Sequence, residues 1–257
     1  MTSQTASKAP SQSLPDTTIV IKTFSRPQCL AKLLWSLRRF GKVPIVVVDD
    51  GKPYADTEIT LPSNVKYIKT GFDIGLSAGR NLGLNHVWTK YFILMDDDFV
   101  VPKKHPFTQD LFDAMAAHDL DVLTVGFKQR GGIRYWARDF HIDGKTLRLR
   151  WPGKQRDKWV QPCELGLNCF LAKKKAVADV LWDPELKVRE HWDFFLRMKQ
   201  AGKKVACWMK PHVHVRQQRV KNTWAYRKYR GRNHFANLAR RKHNITKVID
   251  QIDSRAV

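Results

Sequence analysis

Ile93-Leu94-Met95-Asp96-Asp97-Asp98-Phe99 is an apolar run that ends in three consecutive carboxylates. Counted from Tyr91, its apolar part has the length and character of a buried strand. Isolated charges are far too costly to bury, so the three acids belong at the strand's carboxyl edge, facing a cation, a ligand or water. In open α/β sheets that edge is where ligands bind. Hard oxygen donors there suit Mg2+ or Mn2+ carrying a diphosphate. Alone, such a triplet is more often a solvated turn; the flanking chain decides otherwise.

Upstream, Thr17 to Thr23 is β-branched and apolar and reads as an opening strand. Arg26-Pro27 then starts a helix, with proline at a first-turn position that needs no donor. Leu30, Leu33, Leu34, Leu37 and Phe40 keep an apolar stripe at helical spacing, and Gly41 ends it. Pro44 to Val48 is a near-continuous apolar run, as expected of a parallel strand covered on both faces. It ends in Asp49-Asp50-Gly51, a second acidic strand terminus. Strand, helix and strand with short links make a βαβ unit. Val65 to Ile68 predicts a further strand. The stretch from Gly71 to Asn81, with three glycines, predicts tight turns and close backbone approach before a helix through Leu82 and Val87. It matches neither the dinucleotide fingerprint nor a P-loop.

Downstream, a helix is expected around Phe107 to Ala117, with Leu111, Phe112 and Met115 inward, then a strand over Val122 to Phe127. Alternating Ile133 to Trp151, with Asp143-Gly144 at the turn, reads as an antiparallel insert whose arginines and tryptophans suit a substrate wall. Residues 152–162 read as a mobile polar loop. Gly166 to Ala172 resumes a strand, and Lys173 to Leu181 a short helix. Glu190 opens a helix that Gly202 closes; Glu190 and Asp193, three apart, share its N-terminal face. Val205 to Met209 is the last strand of the sheet, and alternation puts His212 and His214 on one side if it continues.

The totals describe a globular chain large enough for a sizeable core: 257 residues, 43% hydrophobic and 11% aromatic. Its formal charge of +22 points to an anionic partner or surrounding. Cys29, Cys163, Cys169 and Cys207 form no C-x-x-C pair and read as buried thiols. Residues 1–16 are polar and lack an apolar core, so they read as a disordered tail. No stretch approaches the ~18 apolar residues of a membrane span. The expected division is a tail over 1–16, an α/β domain over 17–215, and a basic aromatic helical extension over 216–257. A cytoplasmic location follows, peripheral on a membrane's inner face if the extension binds one.

The ordered set of motifs resembles the GT-A class of nucleotide-sugar glycosyltransferases, family 2 and its relatives, and among them the β-1,4-N-acetylgalactosaminyltransferases. The motifs are Ile21-Lys22-Thr23-Phe24 with Arg26, Ser36 to Phe40, Asp49-Asp50, Ala78-Gly79-Arg80-Asn81, Asp96 to Phe99, Phe170-Leu171-Ala172 and Phe194-Phe195-Leu196. Cys169 stands where an aromatic is usual. The resemblance implies a mostly parallel, Rossmann-like sheet flanked by helices and an inverting, metal-dependent transfer. The donor it implies is UDP-GalNAc, UDP-GlcNAc or another UDP-hexose; the acceptor is a glycan or glycolipid hydroxyl. Carried over by position, Lys22, Thr23, Phe24, Arg26, Asp49, Asp50, Arg80, Asn81, Asp96 and Asp97 serve the nucleotide-sugar. Asp98 and Asp96, with His214 and then His212, would hold Mn2+ or Mg2+. The base is expected from the helix opened by Glu190: Asp193 first, Glu190 second. His191 falls where the family often has its acid.

Two other classes compete. A nucleic-acid-binding protein would account for the charge, but acids crown two strand ends and no binding motif appears. A sugar-nucleotide nucleotidyltransferase shares the architecture but normally opens with a Gly-rich basic loop, which Lys22-Thr23-Phe24-Ser25 is not. The extension from Arg216 combines Tyr226, Tyr229, Phe235 and Leu238 with many arginines and lysines. It is expected to close over the acceptor side and rest on an anionic bilayer.

Overall fold

The computed structural model describes residues 14–52, 61–129, 132–154, 157–218 and 224–251. In chain order the first half contains β1 (Thr17–Thr23), α1 (Pro27–Leu37), β2 (Ile45–Asp49), β3 (Val65–Lys69), α2 (Leu76–Asn85), β4 (Tyr91–Asp96), β5 (Phe99–Val100) and α3 (Gln109–Ala117). Next come β6 (Val122–Val125), β7 (Phe127–Gln129), β8 (Gly132–Arg134), β9 (Asp139–Asp143), β10 (Thr146–Arg150), β11 (Val160–Cys163), β12 (Cys169–Lys173) and α4 (Lys174–Ala178). The chain ends with α5 (His191–Gln200), β13 (Val205–Trp208), β14 (Val215–Gln217), α6 (Trp224–Arg230), α7 (His234–Lys242) and β15 (Lys247–Asp250).

The central sheet has eight strands in the order β11-β13-β6-β12-β4-β1-β2-β3. Strands β4, β1, β2 and β3 run parallel, as do β13 and β6, while β12 is antiparallel to both its neighbours. Alternate residues of the inner strands feed two cores. Ile19, Ile21, Ile93, Met95 and Leu171 face α1 and α3; Val20, Phe92, Leu94 and Phe170 face α2 and α5. Burial on both faces is why these segments read as continuous apolar runs. Trp182 stacks on Phe194 with ring centroids 4.4 Å apart, at the centre of the second core. All four cysteines are free and buried.

Several expectations need correction. Residues 1–13 of the expected tail lie outside the described residues, but Leu14 is buried and the Asp16 carbonyl accepts from Tyr91 N at 3.1 Å. The expected strand Val122 to Phe127 breaks at Gly126, where the chain leaves the central sheet. Beyond it β7 joins a four-stranded sheet, β5-β14-β7-β8. The insert therefore divides: Ile133 belongs to β8, while only β9 and β10 form the hairpin at Asp143-Gly144. Val160 to Cys163, read as loop, is the edge strand beside β13, where Pro162 is tolerated because the outer side is unpaired.

The extension is not helical throughout. β14 pairs with β5 and β7, and β15 runs parallel to β10, while residues 219–223 and 252–257 lie outside the described residues. His212 has φ +62°, which ends strand geometry, so it is exposed while His214 is buried. No described helix is long and apolar enough to cross a membrane.

Candidate active site

Strands β1, β2 and β4 end side by side, with Lys22 paired to Asp96 and Thr23 to Asp49. The register brings three segments of charged sequence to one edge. The acidic triplet there divides by exposure: Asp96 and Asp98 keep 32% and 18% of their side-chain surface, Asp97 none. Asp97 turns inward, accepting from Thr23 Oγ1 at 2.7 Å and from Arg26 Nε at 3.2 Å and Nη2. It ties β1 to the end of β4 instead of facing a ligand.

Asp49 is closed in the same way by Gly51 N at 2.7 Å, the Tyr67 hydroxyl, and Lys69 Nζ at 3.5 Å. Asp50 takes Lys22 Nζ, Gly75 N at 2.8 Å and Arg230 Nη2 at 3.0 Å. Burial draws the Lys22 ammonium down to about 8, with Asp50 opposing the fall. The lysine stem lies against Gly79, where an added Cβ would come within 2.2 Å of Lys22 Cε.

Arg80 is fully buried and bridges two carboxylates: Nη2 reaches Asp96 Oδ1 at 2.9 Å and Nη1 pairs with Glu190 Oε1. The same helix holds the segment that delivers Glu190. Ser77 Oγ donates to Leu186 O at 2.7 Å, and Asn81 exchanges bonds of 2.7 and 2.9 Å with the Trp182 backbone. Asn81, expected at the nucleotide, is thus an anchor for residues 182–190.

Lys22, Thr23, Phe24, Arg26, Asp96 and Asp98 line one cleft of about 100 Å3, closed by Leu76, Tyr226 and Arg230. Helix α6 supplies the last two, so the C-terminal arm covers this cleft. The Arg230 guanidinium stands 4.2 Å over the Phe24 ring, and Arg26 lies 4.4 Å from the Tyr226 centroid. Tyr229 packs edge-on to Phe72 at 4.9 Å, and Arg232 binds Asp73 at 2.8 and 2.9 Å. Tyr226, Tyr229 and the buried Phe235, expected as bilayer anchors, are spent on these internal contacts.

The imidazoles expected as metal ligands lie elsewhere. Gln218 N donates to Asp98 O at 2.6 Å, and Gln217 Nε2 reaches Asp98 Oδ2 at 3.2 Å. His214 lies just before that strand, three residues from Gln217, roughly 10 Å along an extended chain at ~3.3 Å per residue. Burial lowers its pKa, and the neighbouring charges that add to the fall are Lys128, Arg216 and His212, with no carboxylate. Among the described residues no three His, Cys, Asp or Glu side chains converge. Asp96 and Asp98 still share the cleft wall, and two carboxylates suffice for a cation that completes its shell with diphosphate oxygens and water. The pair fits Mg2+ or Mn2+ on those terms.

At the start of α5 the three candidate bases part company. Asp193 is buried and held by Arg197 at 3.0 and 3.1 Å and by His243 Nε2 at 2.7 Å. Glu190 faces Arg80. His191 alone also lines a second cavity of about 570 Å3, walled by Trp136, Leu165, Arg189, Trp192 and Asn233. Trp136 comes from the insert expected as a substrate wall. Sequence reasoning did not single out Gln217, Arg230 or Asp73, whose roles depend on contacts between segments far apart in the chain.

The sequence model of the family described as "Glycosyl transferase family 2" matches residues 18–177. Mouse "Beta-1,4 N-acetylgalactosaminyltransferase 2" is 32% identical over 185 residues, covering 70% of this chain and 35% of that protein. Human "Beta-1,4 N-acetylgalactosaminyltransferase 1" is 31% identical over 191 residues, with the same coverage of 70% and 35%. The chain thus spans about a third of the length of these relatives. Two solved structures share the fold. "GalNAc-T7 with UDP, GalNAc and Mn2+" superposes with a TM-score of 0.59 at 15% identity, covering 80% of this chain and 44% of that one. "S. aureus TarS 1-349 in complex with UDP" gives 0.55 at 15% identity, covering 80% and 61%. The fold is GT-A-like.

Arg80 is the hinge of the charge network, and its loss is the test of it. Arg80→Met leaves the Asp96 and Glu190 carboxylates without their buried partner and is expected to cost ~3–5 kcal/mol. Urea unfolding measures this; a loss under about 1 kcal/mol would show that the network does not hold the edge together.

Proposed function

This chain belongs to glycosyltransferase family 2, and on that premise we propose that it moves a hexose or N-acetylhexosamine from a UDP-sugar to a glycan or glycolipid hydroxyl, with inversion. The enzyme class is that of glycosyltransferases, EC 2.4. The observation that carries the finer reading is the pair Asp96 and Asp98 facing one cleft with Lys22, Arg26 and Phe24. Phe24 offers a ring face to a nucleobase, and Asp50 offers a carboxylate to base or ribose donors. Asp96 and Asp98 would hold Mn2+ or Mg2+, which supplies charge neutralisation to the leaving diphosphate. Lys22 and Arg26 add fixed positive charge at the same end.

Arg230 occupies the place where a base would stack on Phe24 and approach Asp50. A cleft of about 100 Å3 is below the ~300 Å3 at which ligand pockets begin, so donor entry requires α6 to withdraw. The exposed basic residues Arg227, Lys228 and Arg241 leave the arm an electrostatic face for an anionic bilayer, and the location proposed on that ground is peripheral, on a membrane's cytoplasmic face.

Transfer is expected to need the cation pair. Asp98→Asn should lower UDP-sugar turnover by at least ~10²-fold, the scale of losing one transition-state stabilising group, with an unchanged melting temperature. Full activity in excess EDTA would remove the metal from the reading. Arg230→Ala is expected to tighten UDP binding several-fold in calorimetry, since the arm no longer competes; weaker binding would make Arg230 a nucleotide ligand instead. Vesicle co-sedimentation should show binding to anionic but not neutral lipid, abolished by salt. Binding to neither would confine the arm to its role inside the protein.

A further inference from the structure

We propose that His191 is the general base of the transfer, its Nδ1 taking the acceptor hydroxyl proton from within the cavity beside α5. This deepens the glycosyl-transfer reading and rests on it. His191 Nε2 lies 2.6 Å from the Gly166 carbonyl oxygen. A carbonyl can only accept, so the proton of the neutral ring sits on Nε2 and the lone pair on Nδ1. No described residue hydrogen-bonds that Nδ1. The carbonyl is fixed in turn by tight packing, because a Cβ on Gly166 would come within 2.3 Å of Thr124 Cγ2. Trp136 and Phe195 stand edge-on to the ring, at 5.1 and 5.5 Å, and fix its plane.

The position suits the task. His191 follows Glu190, which Arg80 joins to Asp96 at the donor cleft, and its own side chain lines the 570 Å3 cavity. That volume falls in the ~300–1,000 Å3 range of ligand sites. His191 thus borders a space for an acceptor and directly follows a residue tied to the donor end. Both carboxylates of the same helix start are engaged, Glu190 with Arg80 and Asp193 with Arg197 and His243. Burial lowers the imidazole's pKa, Glu190 and Asp96 oppose that, and Arg80 adds to it. The neutral, proton-accepting form therefore persists below the ordinary range of histidine.

The step balances without a further reagent. The acceptor oxygen gives its proton to Nδ1 and forms the new bond to the anomeric carbon. The bond from that carbon to the β-phosphate oxygen breaks, and its electron pair leaves with UDP. The imidazolium then returns its proton to water.

The test uses the full chain with UDP-GalNAc or UDP-GlcNAc and a pooled oligosaccharide acceptor, reading UDP release. His191→Ala should reduce kcat by ~10²–10⁴-fold, leave UDP affinity unchanged, and regain activity with added imidazole. Asp193→Asn should stay close to wild type when its melting temperature is matched. The wild-type kcat/KM should fall on the acid side with a midpoint below that of ordinary histidine, and this limb should vanish in His191→Ala. Long-range nitrogen–proton NMR on the unmutated enzyme should find the proton on Nε2, a readout independent of whether the variant folds. An active His191→Ala enzyme, an unchanged acid limb or a proton on Nδ1 overturns the base. A wild-type chain silent with every UDP-sugar overturns the transfer reading, and the base with it.

Discussion

The structure depends on placing carboxylates at the end of a buried sheet and matching them with cations from other elements. Arg80 between Asp96 and Glu190, Arg26 on Asp97, and Lys22 on Asp50 are the three matches. Such pairs add little net stability, because desolvation offsets most of the attraction. Their effect is on geometry. An unpaired carboxylate at this depth would have to protonate or find water, and the strand ends would part. Because each acid is paired across to another segment, the pairs fix where β1, β2, β4, α2 and α5 stand relative to one another. Asp96 and Asp98 are left facing outward as a consequence of Asp97 turning in.

A second constraint comes from the break at Gly126. Had β6 and β13 both run on in the central sheet, His212 and His214 would lie on one side of a single strand. Instead β7 and β14 form a small sheet with β5, and the ladder that results brings Gln217, not His214, to Asp98. An amide at that point offers an oxygen or a donor and no charge. Both ring nitrogens of His214 are buried without a partner among the described residues, and the structure supplies no physical account of that.

Most of the sheet was legible because it is covered on both faces. Its strands are short apolar runs bounded by acids or glycine, and its helices carry stripes with one inward side, as Leu111, Phe112 and Met115 do. What was not legible depended on contacts far apart in sequence. Val160 to Cys163 looks polar and carries a proline, and only its place at the sheet edge makes it a strand. β15 exists because β10 offers an open side. At the site, the acidic run marked Asp96 and Asp98, and the family resemblance put Lys22 and Phe24 with them; all four line the cleft. It could not tell that Asp97 and Asn81 face inward, or that Asp193 is closed by His243, fifty residues away.

The C-terminal arm follows from the same electrostatics. Asp96 and Asp98 line the cleft, Asp50 and Asp73 meet its wall at Arg230, and with no counter-charge these acids repel one another. Arg230 and Arg232 supply that charge from the arm, at 3.0 Å from Asp50 and 2.8 Å from Asp73. In the proposed reaction a nucleotide-sugar arriving with a divalent cation would bring a balance of its own, cation toward Asp96 and Asp98, base toward Phe24 and Asp50. Exchange of the arm for the donor then trades one set of paired charges for another of similar net value. The cost that remains is mainly the loss of aromatic contact by Tyr226 and Tyr229, and a base stacked on Phe24 replaces part of that. An excess of basic residues is therefore no contradiction in a chain organised around acids: some of the arginines keep the acidic edge stable while it waits for its ligand.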